Sequence, residues 1–130
     1  MNDETREAVR QWLARAGVDW KTVEVLSEHA DGPRESIAYH CQQYVEKLLK
    51  AILTMHGIEA PRTHDVRRLV QLAMSTAPEL AGLEGSADLL TEYAVAIRYP
   101  DEWREIDEEE VRKAVAVATT FADALLPRIE

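Results

Sequence analysis

Hydrophobic residues return every three or four positions along most of the chain, which is the spacing of amphipathic helices. The first such stripe consists of Ala8, Val9, Trp12, Leu13, Ala16, Trp20, Val23 and Leu26. Gly17 lies inside it, and a glycine in a helix interior costs about 1 kcal/mol relative to alanine. The stripe therefore predicts one long helix with a weak point at Gly17, or two helices with Asp19 as a new cap.

The second segment, from about Arg34 to His56, is the most apolar in the chain. Its hydrophobic side covers about half of the helix circumference. The residues on that side are Ile37, Ala38, Cys41, Tyr44, Val45, Leu48, Leu49, Ala51, Ile52, Leu53 and Met55. Such a helix is expected at the centre of its domain, and Gly57 is expected to end it at the C′ position.

Two further helices have recognisable starts. The third is predicted from about Asp65, with Thr63 or Asp65 as its cap. The last is predicted to open at Asp107, because Asp107 and Glu110 have the spacing of a capping box.

A fourth segment is predicted to begin near Ser86, a good N-cap residue, and to end at about Arg98. Tyr99 and Pro100 follow Arg98, and proline disfavours helical geometry in the residue before it. Arg98 is therefore expected on a last helical turn, where a cation meets the negative end of the helix dipole. The nearby Asp101 can orient its guanidinium group, which suggests an anion-binding arginine.

No hairpin signal, repeat or low-complexity tract interrupts these segments. The predicted fold class is therefore all-α, an up-and-down bundle of about five helices in a single domain over residues 1–130. A composition of 46% hydrophobic and 30% charged residues fits a folded soluble chain. No apolar run is long enough for a membrane span. The single cysteine, Cys41, suits a reducing cytoplasm, which is the predicted location.

The net charge of −9 argues against a broad binder of nucleic-acid backbone. The charge is unevenly distributed, however. Residues 34–68 contain four acidic and six basic side chains, whereas the segments on either side are acidic. This middle part is the one region that favours a small anion.

On the second helix, Gln43, Lys47 and Lys50 fall on one polar strip at 100° per residue. Two ammonium groups and an amide can hold a phosphate and hydrogen-bond to a base or sugar. The alternative is a solvated face on which Glu46 and Lys50 form an ordinary i,i+4 ion pair.

Histidines offer a second chemistry. His64, at the start of the third helix, can either cap backbone or transfer protons near neutral pH. The four histidines lack the spacing of metal ligands, so no metal site is predicted. The chain also lacks a glycine-rich phosphate loop, a nucleophile elbow and paired cysteines.

The strings YHCQQYVEKLLKAILTMHGIEAPRTHDVRRLV and EYAVAIRYPD resemble HEPN domains, and most closely the small prokaryotic branch encoded beside minimal nucleotidyltransferases. The resemblance covers nearly the whole chain. It implies a helical bundle that forms a homodimer, with a polar cleft that binds nucleotide or RNA and no cofactor. The resemblance places the following residues around that cleft: Tyr93, Arg98, Tyr99, Asp101, Gln43, Lys47, Lys50 and His64.

Some members of the family are metal-independent ribonucleases with an R-x4–6-H motif. Here YPDEWREIDEEE follows Arg98 and contains no histidine, so the motif is incomplete. The leading hypothesis is therefore a non-catalytic module of toxin–antitoxin type that binds a nucleotide or a nucleotidyltransferase. One alternative is a ribonuclease toxin that uses Arg98 with His64 or His40. The other is a purely structural bundle whose acidic C-terminal half meets a basic protein.

Overall fold

A computed structural model describes residues 1–98, 100–102 and 104–129, with the side chains of residues 96–98 and 102 left undescribed. These residues form five α-helices: α1 (Asp3–Ser27), α2 (Arg34–Met55), α3 (Val66–Ala73), α4 (Glu84–Arg98) and α5 (Glu108–Ile129). Two short 3-10 helices lie at Pro78–Leu83 and Pro100–Glu102. No strand occurs in this part of the chain, and the all-α bundle predicted from the apolar spacing is confirmed.

Helix α1 runs without a break through Gly17, so the prediction of one long helix is confirmed. It packs antiparallel to α2. Trp12, early in α1, lies against Lys50, late in α2, whereas Trp20 packs on Tyr44 with 4.8 Å between ring centroids. The turn between the two helices depends on Gly32, because a Cβ there would overlap the backbone oxygen of Leu26.

Helix α2 is the central helix, as its composition predicts, and it contacts α1, α3, α4 and α5. Its last residue is Met55, and Gly57 follows at the C′ position with a φ of 72°, which is accessible to glycine at little cost. The Gly57 amide donates to the Thr54 carbonyl (3.1 Å) and the Ile58 amide to the Leu53 carbonyl (2.9 Å). These two bonds are those of a Schellman motif, which stops the helix while satisfying its last carbonyls.

The helix starts differ from the sequence predictions in one place. Asp65 caps α3 by accepting from the Arg68 amide, and Asp107 and Glu110 form the expected reciprocal capping box. The expected N-cap at Ser86 was wrong, because α4 begins at Glu84 and Ser86 lies inside it. The 3-10 helix that starts at Pro78 leads directly into α4, so no separate cap is needed there.

The core fills the space between α2 and its neighbours. Its largest fully buried side chains are Tyr93, Phe121, Leu48, Leu49, Ile52, Leu53, Leu69, Leu80, Leu90 and Leu125. Cys41 is buried in the same core, and burial raises the pKa of its thiol to about 12. Across the described ranges, no helix has the length and hydrophobicity required to cross a membrane.

Candidate functional site

Two buried carboxylates organise the polar chemistry of α2. The first is Asp19, on α1, whose Oδ1 lies 2.8 Å from His40 Nδ1 and whose Oδ2 accepts from the Lys47 ammonium group. We call Asp19, His40 and Lys47 the Asp19 cluster. It spans the interface of α1 and α2. The carboxylate side chain is only 7% exposed, whereas His40 and Lys47 are 29% and 20% exposed.

The second carboxylate is Glu46, in the middle of α2. Its Oε1 lies 2.7 Å from His64 Nδ1 and accepts from Gln42 Nε2 at 3.0 Å, while its Oε2 accepts from the Lys50 ammonium group at 3.0 Å. The Gln42 amide also reaches the His64 carbonyl oxygen at 3.2 Å, and the Gln43 amide donates to Gln42 Oε1 at 2.7 Å. We call Gln42, Gln43, Glu46, Lys50 and His64 the Glu46 cluster.

The Glu46 cluster joins α2 to the loop before α3. That loop is fixed at its far end, because the Val66 amide donates to Thr91 Oγ1 of α4 at 3.0 Å. His64 is therefore held from two sides, by its carbonyl oxygen and by its ring. Since Glu46 Oε1 also accepts from Gln42 Nε2, it is the acceptor towards the ring, and Nδ1–H of His64 is the donor in their contact. The ring is 40% exposed, and Nε2 is left as its second polar atom.

Lys50 also connects the Glu46 cluster to α1. Its ammonium group lies 5.6 Å from the centroid of the Trp12 ring, a cation–π distance. Lys50 is buried, and Trp12 is half-buried. Beside Trp12 the α1 surface carries a cavity of about 250 Å³ lined by Ala8, Gln11, Trp12 and Arg15.

The structure groups the predicted site residues in several places. Gln43, Lys50 and His64 come together in the Glu46 cluster, whereas Lys47 and His40 belong to the Asp19 cluster. The polar strip on α2 is therefore divided between two carboxylates. The Glu46–Lys50 pair forms as expected, but the solvated face proposed for it was wrong, since both side chains are buried.

The predicted residues at the end of α4 are only partly described. Arg98 is the last residue of α4, as expected, but its side chain and all of Tyr99 lie outside the described residues. Asp101 is exposed in the second 3-10 helix. The convergence of Arg98 with the α2 strip therefore stays a prediction.

Tyr93 differs from the other predicted site residues in being almost completely buried, with 2% of its surface exposed. Its hydroxyl has no hydrogen-bond partner within the described part of the chain. Burial, followed by the negative charge of Glu110, raises its pKa to about 12, so the phenol is neutral at physiological pH. A buried hydroxyl without a hydrogen bond is costly, so Tyr93 differs energetically from the hydrogen-bonded polar side chains of the two clusters.

Sequence reasoning did not predict Asp19, Gln42 or Trp12 as site residues. Asp19 had a visible signal, because it occupies a place in the apolar stripe of α1 between Ala16 and Val23. Gln42 begins a polar ladder with Glu46 and Lys50 at intervals of four, inside a helix that is otherwise apolar. Such a ladder in a buried helix predicts an internal polar network.

The chemistry open to these clusters is hydrogen bonding and proton transfer. A carboxylate at Nδ1 orients an imidazole and defines its tautomer, so that Nε2 accepts a proton when the ring is neutral and donates when it is charged. Among the described side chains, no group of three or more His, Cys, Asp and Glu residues is arranged to hold a metal ion.

Comparison with known proteins gives a family match. A family model described as HEPN domain covers residues 9–128, whereas the searches of curated proteins and of solved structures returned no match. The matched range contains α1 from Val9 onward, all of α2, α3 and α4, and α5 as far as Arg128. Both carboxylate clusters and Trp12 lie within it. With most of its length matched by that model, the chain belongs to the HEPN domain family.

Proposed function

We propose that this chain is a nucleotide-binding HEPN module whose ligand site is built on the Glu46 cluster. We further propose that it acts with a nucleotidyltransferase partner in a system of toxin–antitoxin type, as a homodimer. The observation that carries the proposal is His64, a half-exposed ring held at Nδ1 by a buried carboxylate. The partner and the homodimer rest on the family resemblance of the sequence.

The energetics of the cluster support a functional role. A buried ion pair such as Glu46–Lys50 is often no more stabilising than apolar side chains of the same volume. The cluster nevertheless places four polar side chains on the central helix and connects them to one histidine of the adjoining loop that reaches solvent. The free-energy cost of burying these polar groups has an explanation if the histidine must be held in one orientation towards a ligand.

The charges of the cluster are compatible with a phosphate. Lys50 compensates Glu46, so protonation of His64 leaves the cluster with one positive charge. A protonated Nε2–H is a strong donor to a phosphate oxygen, and a neutral Nε2 accepts from a ribose hydroxyl. Both groups occur in every ribonucleotide.

The test is calorimetric titration of AMP, ADP, ATP and GTP into the purified protein and into His64→Asn. Asparagine can keep the hydrogen bond to Glu46 through its amide nitrogen but has no counterpart of Nε2. We expect at least one nucleotide to bind the native protein and His64→Asn to weaken it by about tenfold or more, the effect of one charge-assisted hydrogen bond. His56→Gln, at the exposed C-cap of α2, is the matched control and should bind like the native protein.

Arg98→Ala tests the second half of the predicted cleft in the same titrations. If its guanidinium binds the ligand, the substitution weakens nucleotide binding without changing the far-UV circular dichroism. Failure of all four nucleotides to bind the native protein would contradict the proposed function. The partner role is tested separately, by co-expression with a minimal nucleotidyltransferase and recovery of a stable complex.

A second function, metal-independent RNA cleavage, is favoured by one observation. The Glu46–His64 contact of 2.7 Å is the carboxylate–histidine arrangement that orients a general base. His64 Nε2 would take the proton of a ribose 2′-hydroxyl, whose oxygen attacks the adjacent phosphorus while the bond to the 5′-oxygen breaks and that oxygen takes a proton from water. We expect such cleavage to persist in EDTA and to disappear in His64→Asn. RNA that stays intact at high protein concentration would exclude it.

A further inference from the structure

The surface beside Trp12 has the properties of a nucleobase subsite. Trp12 lies on α1 with Lys50 over its ring, and the adjoining cavity of about 250 Å³ is lined by Ala8, Gln11, Trp12 and Arg15. These four residues are spaced at three, one and three positions, so they share one face of the helix. We propose that this cavity receives the base of the nucleotide, which stacks on Trp12. The inference rests on the proposed function.

The aromatic side chain supplies the main interaction. Every nucleobase has a π-face, so stacking on an indole ring binds bases without requiring a particular sequence or identity. Trp12 is half-buried, which fixes its ring in the α1–α2 interface while part of it remains accessible. Ala8, one turn before it, is small enough to leave room along the helix surface.

The polar lining residues fit the other parts of such a ligand. The Gln11 amide nitrogen lies 3.3 Å from Glu7 Oε1, which leaves the Gln11 carbonyl oxygen to accept from an exocyclic amino group of a base. Arg15 is exposed and lines the cavity one turn after Gln11. Among the described residues, none forms an ion pair with it. Its guanidinium group can therefore meet the sugar–phosphate part of the ligand.

Contacts on α2 connect this cavity to the Glu46 cluster. The Trp12 ring contacts the Lys50 ammonium, which donates to Glu46, and Glu46 in turn holds His64. Base and phosphate subsites are thus joined by three consecutive side-chain contacts across α1, α2 and the loop before α3. The proposal therefore assigns the base to Trp12 and the phosphate to the side of His64.

The experiment compares AMP with ribose 5-phosphate, which keeps the phosphate but lacks the base. Calorimetry on the native protein should show AMP binding about tenfold tighter or more, as expected for one stacked base. Trp12→Leu should remove this advantage and leave the affinity for ribose 5-phosphate unchanged. Trp12→Phe keeps an aromatic ring and should retain part of the preference for AMP over ribose 5-phosphate. This variant tests the base subsite if Trp12→Leu does not fold.

Trp20→Phe is the matched control, because Trp20 lies on the same helix but packs on Tyr44 rather than beside the cavity. It should retain the full preference for AMP. Equal binding of AMP and ribose 5-phosphate by the native protein, or an undiminished preference in folded Trp12→Leu, overturns the base subsite and leaves the proposed function standing. If the native protein binds neither AMP nor ribose 5-phosphate, the base subsite is overturned, and the proposed function falls with it only if ADP, ATP and GTP also fail to bind.

Discussion

The Asp19 and Glu46 clusters use the same chemistry in two different settings. In each, one buried carboxylate meets a histidine through Nδ1, at 2.8 Å and 2.7 Å respectively, and a lysine ammonium group. The Asp19 cluster joins two long helices and has no further polar member among its hydrogen bonds. The Glu46 cluster joins a helix to a loop and includes two glutamines that extend the network.

This difference distinguishes a cluster that stabilises the packing of two helices from one that is a candidate binding site. His40 belongs to α2, so the helix backbone fixes its position, and its ring lies beside that of its neighbour Tyr39, with ring centroids 5.3 Å apart. His64 lies outside the helices, and the network must hold it in place. A loop residue supported by a rigid scaffold is the usual position for a binding group. We therefore expect the Asp19 cluster to matter for stability and the Glu46 cluster for both stability and binding.

The largest expected effect is that of Glu46→Gln. It removes the charge that compensates the buried Lys50, and loss of one partner of a buried pair destabilises by about 3–5 kcal/mol. We expect the free energy of unfolding, from urea denaturation followed by circular dichroism, to fall by about 3 kcal/mol.

The double variant Glu46→Leu/Lys50→Met is the matched test of this explanation. It replaces both charges by apolar side chains of similar volume, so most of the stability should return. Nucleotide binding should be weakened, because His64 no longer has a carboxylate at Nδ1. A Glu46→Gln protein as stable as the native one would show that Lys50 reaches solvent and that the pair is not truly buried.

Asp19→Asn is expected to have a smaller effect, about 1–2 kcal/mol, because its two partners are partly exposed and can turn towards water. Nucleotide affinity should stay within a factor of about two, since the Glu46 cluster is untouched. The same denaturation and titration experiments measure both quantities. A loss of binding as large as that of His64→Asn would mean that the two clusters form a single site.

Tyr93→Phe is expected to change stability least and in the opposite direction. It removes a buried hydroxyl that has no partner within the described ranges, so the free energy of unfolding should rise by about 1 kcal/mol. Thermal unfolding measures this. If the hydroxyl also contacts the nucleotide, the variant binds more weakly although it is more stable, which would extend the site to α4.

The stabilisation by Tyr93→Phe should also grow at alkaline pH. Burial raises the pKa of Tyr93 to about 12, whereas an unfolded tyrosine ionises near 10. Between these values the folded protein retains a proton that the unfolded chain has lost, so the native free energy of unfolding falls as pH rises. The difference between native protein and variant should therefore be larger at pH 11 than at pH 9. An unchanged difference would contradict the raised pKa.

Most of the fold could be predicted because apolar spacing and local capping act over short distances. The unbroken α1, the central α2 and the Asp107–Glu110 capping box all followed from neighbouring residues. The start of α4 could not be predicted in this way, because a 3-10 helix at Pro78–Leu83 precedes it in place of the expected cap. The sequence of that 3-10 helix lacks the apolar spacing that revealed the α-helices. Local chemistry at Ser86 was favourable for a cap, but the preceding chain was already helical.

The site was less accessible because it depends on contacts between distant residues. Helical projection placed Lys47 and Lys50 on one strip, yet Lys47 pairs with Asp19, 28 positions earlier in the chain, and Lys50 pairs within its own helix. Long side chains can choose between partners that a projection does not show. The contact of Lys50 with Trp12 likewise requires knowledge of how α1 lies against α2.

The buried thiol of Cys41 can be used to measure local opening of α2. Alkylating reagents attack the thiolate, and a pKa of about 12 in a position closed to solvent makes the native thiol almost inert near neutrality. As the chain has no other cysteine, labelling proceeds only through molecules in which the middle of α2 has become accessible. The rate of modification therefore measures how often the central helix opens, and a bound nucleotide that holds α1 against α2 would lower that rate.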